Sequence, residues 1–150
     1  MHTLVQDAVA GGAELRAGGT YEGLFYRPTV LANPANDAAA YSEEVFGPVA
    51  SVVSYSTDDE AIELGIATDY GLALGIVTAD VFAGLDMARR IPTGIVHIND
   101  QTVNDEANAP FGGVGSSGTG SRHGGAQANI DAFTETRWIT MRREPGAYPL

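Results

Sequence analysis

The chain has 150 residues, a formal net charge of −11 and no cysteine. Its length suits one domain with a real core, and 44% hydrophobic against 18% charged residues excludes a disordered chain. Eight scattered arginines, no lysine and no basic run argue against nucleic acid and against docking on anionic lipid. Without thiols there is no disulfide, thiolate zinc site or cysteine nucleophile, and without lysine no Schiff-base or P-loop lysine. No apolar run approaches the roughly 20 residues of a membrane span, and no basic stretch leads into an apolar one at the N-terminus. A cytoplasmic location is the expectation.

In chain order, Leu4, Val5, Ala8 and Val9 recur at helical spacing, and Gly11-Gly12 closes that helix. A chain that opens inside an amphipathic helix points to truncation. Residues 13–16 and 25–31 read as strands, and residues 33–37 as a turn. Residues 49–55 are apolar on both faces, as a buried parallel strand would be. Thr57 starts a helix with Glu60 in the capping-box position, Asp58 and Asp59 in the first turn, and Ile62 and Ile66 on one face.

Residues 72–77 form the next strand. Asp80 caps a helix whose Val81, Leu85 and Ala88 share a face, with Arg89 and Arg90 at its negative end. Pro92 to Gly94 stops it, and residues 94–98 are a third strand. Strand, helix, strand, helix, strand is the pattern of parallel βαβ units, so the fold class is α/β. Residues 99–125 are a long polar loop that holds seven of the nineteen glycines, and a loop of that length is usually functional. A short helix over 126–133 follows, then an alternating strand over 136–142 with Trp138, Thr140 and Arg142 on one face. The tail with Pro145, Gly146 and Pro149 is irregular.

Several motifs carry candidate chemistry. Gly113 to Gly118 matches the GxGxxG spacing, but no buried strand precedes it and no acidic ribose partner follows. His97, Asp100, Asp105, Glu106 and His123 fit no familiar metal-ligand spacing, and a histidine inside a strand is expected to be structural and hydrogen-bonded. Ser116, Ser117, His123 and Asp131 lack the strand–turn–helix elbow of a serine nucleophile. No residue of this chain is assigned as a catalytic group or a metal ligand. Glu43-Glu44-Val45-Phe46-Gly47-Pro48-Val49 places two carboxylates and an aromatic ring before a strand. The residues alone leave open whether those carboxylates serve a site or simply face solvent.

That stretch, with Pro110-Phe111-Gly112-Gly113, Ser117-Gly118-Thr119-Gly120, Tyr70-Gly71-Leu72 and Thr134-Glu135, closely resembles the aldehyde dehydrogenase superfamily in order and spacing. The similarity runs across essentially all 150 residues, and the loop from His97 to Gly125 is most similar to the branch acting on aromatic aldehydes such as benzaldehyde or vanillin. Members attack an aldehyde with a cysteine thiolate, pass hydride to NAD or NADP, and hydrolyse the thioester with a glutamate as base.

The resemblance implies that Glu44 accepts hydrogen bonds from the nicotinamide ribose, that Phe46 packs near the nicotinamide, and that Phe111 lines the substrate entrance. It also implies that the loop after Asp100 shapes that pocket and that residues 136–142 join an intersubunit sheet. Residues 1–135 would then be the C-terminal part of an incomplete catalytic domain, and 136–150 an oligomerisation strand and tail. The partners implied are a small-molecule aldehyde, a homo-oligomer or full-length subunits. The chain corresponds to roughly the last third of a member. The nucleophile, the base and the cofactor domain would lie upstream, so the 150 residues alone are expected to be inactive. The alternative expectation is a non-catalytic protein that pairs with full-length subunits.

Overall fold

A computed structural model describes residues 1–147, so Pro149 of the expected irregular tail lies outside the described residues. The chain forms two compact units, one of Met1–Asp69 with Leu85–Pro92 and the other of Tyr70–Gly84 with the chain from Thr93 onward.

In the first unit, helix α1 (His2–Ala10) buries Val5 and Ala8, while Val9 at its end is exposed. The helix ends where Gly11 donates to the Asp7 carbonyl and Gly12 to Val9, with Gly12 at φ +104, a conformation glycine adopts without a Cβ penalty. Strand β1 (Glu14–Ala17) pairs antiparallel with β4 (Thr29–Ala32), with a bulge between Leu15 and Ala17. The single strand expected over 25–31 is two. β3 (Phe25–Tyr26) folds back on β2 (Tyr21–Glu22) as a hairpin, and Pro28, which has no N–H to give a ladder, separates it from β4.

Helix α2 (Ala39–Ser42) carries the chain from β4 to β5 (Val49–Val52), which lies parallel to it, giving the sheet order β1-β4-β5. Expected burial on both faces of residues 49–55 is not what forms. β5 stops at Val52, and Val49 and Ser51 are half-buried while Ala50 and Val52 are exposed, as befits the last strand of its sheet. Leu31 is wholly buried at the centre of this sheet and packs in one cluster with Val5, Ala8, Ala13 and Ala40.

Helix α3 (Asp58–Ile66) starts as expected at Thr57, whose hydroxyl accepts the Glu60 N–H at 3.2 Å. The return bond differs from a capping box: the Glu60 carboxylate accepts the Ser56 N–H at 2.7 Å, one residue before the cap. Ile62 is buried, but Ile66 is largely exposed, so only one of the two is core. The exposed Arg90–Asp59 ion pair at 2.7 Å adds little, because solvent screens it.

In the second unit, β7 (Ala73–Ile76) and β8 (Ile95–Ile98) run parallel and in register; helix α4 (Val81–Arg90), of which Val81 to Gly84 belong to this unit, follows β7 and precedes β8 in the chain, the expected strand–helix–strand order. Asp80 caps α4 through one carboxylate oxygen that accepts the Phe82 and Ala83 N–H groups. The buried position is Gly84, while Val81 and Leu85 of the expected apolar face are exposed. A Cβ on Gly84 would press on Thr78, Ile98 and Ile76, so the missing side chain lets the helix backbone close on the sheet.

Just before β7, β6 (Tyr70–Gly71) pairs antiparallel with β9 (Val114–Gly115), which follows β8, and helix α5 (Ala126–Phe133) forms over the expected residues. The strand expected over 136–142 does not form: no ladder pairs this segment among the described residues, and Trp138, Ile139 and Met141 are exposed. A strand needs a partner edge, and none is offered to it here. No described helix is long and apolar enough to cross a membrane.

Candidate functional site

In the first unit, α2 ends at Glu43 in extended backbone, and the chain alternates from there into β5. Val45 packs on the Leu31 cluster, while Glu43, Glu44 and Phe46 face outward. Phe46 is 85% exposed and sits at φ +47. A bulky residue in the left-handed region is a local outlier, and such outliers collect at functional sites. The bend is held from behind: the Thr29 N–H donates to the Pro48 carbonyl at 2.8 Å, and Val49 to Gly47 at 2.7 Å.

The second unit builds a cavity of about 250 Å³. Its floor is the β8 backbone and side chains at Ile95, Val96 and His97, one wall is Pro110 and Phe111, and Asn104 to Glu106 form the polar rim. Phe111 is fixed by a two-way bridge to His123, with N–H to carbonyl distances of 2.6 and 3.0 Å and ring centroids 5.1 Å apart. On β8, Ile98 lies on the face toward Gly84, so by strand alternation Ile95 and His97 lie on the other. The His97 Nε2 is buried without a hydrogen-bond partner, which corrects the expected hydrogen-bonded structural histidine. Leaving a buried polar atom unpaired costs about 1–3 kcal/mol, so this nitrogen needs an explanation.

Asp100 organises the rim. One carboxylate oxygen accepts the Gln101 N–H at 2.8 Å and the other the Asn104 amide at 2.6 Å. These bonds, the backbone one first, and the nearby His97 hold its carboxyl below the usual carboxylate range, against a small opposing effect of burial. A depressed folded value means that the bonds stabilise the loop above the unfolded pKa and are lost as pH falls through the folded one. Acidification below about pH 3.9, the ordinary aspartate value, is therefore expected to loosen residues 100–104 before the rest of the unit. Amide hydrogen exchange at Gln101 and Asn104 across an acid titration checks this, and Asp100→Asn should abolish the pH dependence.

The remaining sequence candidates take local roles. Gly113 to Gly118 holds β9 and the tight turn that closes on it, where a Cβ on Gly113 would strike the Ser117 carbonyl. Ser117 Oγ accepts the Gly71 N–H at 3.2 Å, and the next helix begins only at Ala126. No three His, Asp or Glu side chains converge as a metal cluster among the described residues. The structure thus joins His97, the Asp105 and Glu106 rim and Phe111 around one cavity, while Glu44 and Phe46 belong to the other unit. Sequence reading took His97 as a structural histidine and did not single out Arg122, whose Nη1 is also buried and unpartnered among the described residues. An isolated arginine in a glycine-rich loop carries no local signal of burial.

Parallel strands with a helical crossover define an α/β protein, and a small apolar cavity lies beside the loop that leaves β8. The family model described as "Aldehyde dehydrogenase family" matches residues 1–139, and the chain belongs to that family. It is 62% identical to a vanillin dehydrogenase of Amycolatopsis sp. over 99% of this chain and 31% of that protein. It is 45% identical to a benzaldehyde dehydrogenase [NAD(+)] of Pseudomonas putida, over 99% and 30%. Its fold is similar to the crystal structure of a salicylaldehyde dehydrogenase from Pseudomonas putida G7 complexed with salicylaldehyde. That match has a TM-score of 0.88 at 36% identity and covers 99% of this chain and 30% of the other. The chain spans about 30% of the length of the curated relatives it matches.

Proposed function

We propose that this chain is the C-terminal part of an NAD- or NADP-dependent aldehyde dehydrogenase that oxidises an aromatic aldehyde to the carboxylic acid. The observation that carries the reading is the cavity walled by Phe111 in a chain whose relatives are named for vanillin and benzaldehyde. An aromatic wall over an apolar floor suits a flat ring, and a volume just under the roughly 300–1,000 Å³ of drug-sized pockets suits a single-ring ligand. The chain holds no cysteine, so the thiolate that would form the thiohemiacetal and thioester comes from another segment or subunit. The 150 residues alone are then inactive.

Glu44 and Phe46 fit a cofactor role by their chemistry. A carboxylate on an exposed loop can accept bonds from two ribose hydroxyls, and a ring held outward by its backbone can limit where a nicotinamide lies. The nicotinamide, when bound, takes the hydride; these residues only position it. Residues 136–142, which expose Trp138, Ile139 and Met141 without a ladder partner among the described residues, would pair with a neighbouring subunit. That same segment favours the second reading, a non-catalytic chain that associates with full-length subunits.

The test is a chimera that joins this chain to the upstream part of the Amycolatopsis vanillin dehydrogenase. The chain alone should produce no NADH from benzaldehyde or vanillin, whereas the chimera should oxidise them. In it, Phe111→Ala should raise the aldehyde KM about tenfold, or ~1.4 kcal/mol, and Glu44→Gln should weaken NAD+ use without changing the aldehyde KM. A folded chimera without turnover would overturn the catalytic reading and leave association with full-length subunits as the one to pursue.

A further inference from the structure

The chain that leaves β8 turns back over β7. Asn99, at φ +58, makes the turn, a left-handed conformation that asparagine tolerates better than most residues. Its N–H donates to the Ile76 carbonyl at 2.7 Å, and its Oδ1 accepts the Thr78 N–H at 2.8 Å. Asp100 then ties residues 100–104 into one turn, accepting the Gln101 N–H at 2.8 Å and the Asn104 side-chain amide at 2.6 Å. That turn rests on Gly75. In the parallel ladder Gly75 stands beside His97, and both lie on the cavity face, opposite Ile76 and Ile98, which pack toward Gly84. A Cβ on Gly75 would lie 3.0 Å from the Thr102 Cγ2 and 3.8 Å from the Asp100 carbonyl oxygen.

Asn99 thus fixes where the turn starts, and the height of residue 75 fixes how low Thr102 can lie. Because Asp100 binds the turn together, raising Thr102 also raises Asn104, which forms the cavity rim with Asp105 and Glu106. We propose that Gly75 is a positioning residue that sets the size of aldehyde the cavity takes. Its missing side chain lets the turn lie close to the sheet, and that height fixes the opening between the β8 floor and the rim. The inference rests on the reading of this cavity as the aldehyde site. Gly75 touches no substrate and acts through Thr102. A side chain at this position lifts the rim, so that a single-ring aldehyde fits loosely and a two-ring aldehyde gains room.

The experiment uses the chimera described above, with benzaldehyde and 2-naphthaldehyde as the two probes. Gly75→Val should raise the ratio of kcat/KM for 2-naphthaldehyde over benzaldehyde about tenfold, the lower end of what one methylene of pocket space commands. Gly75 is exposed and valine suits a strand, so the variant is expected to fold, and the milder Gly75→Ala should shift the ratio the same way by less. Adding Thr102→Ser, which removes the methyl that the new Cβ meets and keeps the hydroxyl, should return the ratio toward its starting value. Lost packing alone would slow both aldehydes alike, and shortening a second side chain would not rescue it. In the 150-residue chain, a nuclear Overhauser contact between the Gly75 Hα and the Thr102 methyl should report the seat directly. An unmoved ratio in an active chimera, a shift that Thr102→Ser does not reverse, or a missing Gly75–Thr102 contact would overturn the role of Gly75 and leave the cavity as the aldehyde site. A chimera that turns over neither aldehyde would remove the substrate reading, and this one with it.

Discussion

Substituting alanine for Leu31 is expected to remove about 2–5 kcal/mol of stability, the range for deleting a buried leucine side chain. Leu31 has no exposed surface. It sits in the middle strand of its sheet, opposite Leu15 on β1 and Ser51 on β5, under Val5 and Ala8 of α1. Three of its four buried neighbours, Ala8, Ala13 and Ala40, are alanines, whose short side chains cannot swing into the space left behind. The cavity term therefore adds to the lost transfer energy and places the effect toward the upper end. Leu31→Met, which conserves volume, should cost less than about 1.5 kcal/mol. Urea unfolding followed by far-UV circular dichroism measures both. Equal losses for the two variants would show that the site is not limited by volume.

Gly94→Ala is the second large effect, expected at about 3 kcal/mol, the upper part of the range for forcing atoms into packed space. A Cβ at this position would overlap the Gly112 carbonyl and lie 2.5 Å from Arg122 Nη1. The first is backbone and the second is a buried guanidinium nitrogen, so neither moves cheaply. The Gly94 N–H also donates to the Gly71 carbonyl at 3.0 Å, and Ile95 to Leu72 at 2.9 Å, which ties the start of β8 to β6 and to the approach of β7. Pushing Gly112 away strains the residue next to Phe111, so the substitution should also weaken aldehyde binding at the cavity. A thermal melt and an aldehyde titration on the same sample check the two effects together. A variant that keeps wild-type stability would mean that the Gly112 loop yields without cost.

How far the sequence carried can be followed residue by residue. Helix ends were legible because caps are local: Thr57 with Glu60, Asp80 with Phe82 and Ala83, and Gly11-Gly12 each act within one turn. The parallel pair β7–β8 was legible for a similar reason, since two short apolar runs around a helical pattern leave few other ways to bury the backbone. Family membership followed from several motifs in fixed order, and the match over residues 1–139 agrees with it.

Other features depended on contacts between residues far apart in the chain, which no local period encodes. Pro28 split one expected strand in two because β3 turned back on β2 while β4 joined β1. Helix α4 buried Gly84 instead of the face of Val81 and Leu85, because close approach to the sheet favours the residue with no side chain. Residues 136–142 have the alternation of a strand but no ladder among the described residues, since alternation describes a strand's faces and says nothing of the edge it must find.

The candidate site divides in the same way. Glu44, Phe46 and Phe111 were singled out from motifs, whereas the orphaned nitrogen of His97 and the bridge between Phe111 and His123 emerged only when the chain was folded. By itself, then, the sequence determined the residue types, the caps and the family, all set by short-range pattern. Tertiary structure decided which polar atoms are left unpaired around the cavity, because burial is a property of neighbours brought together from distant parts of the chain.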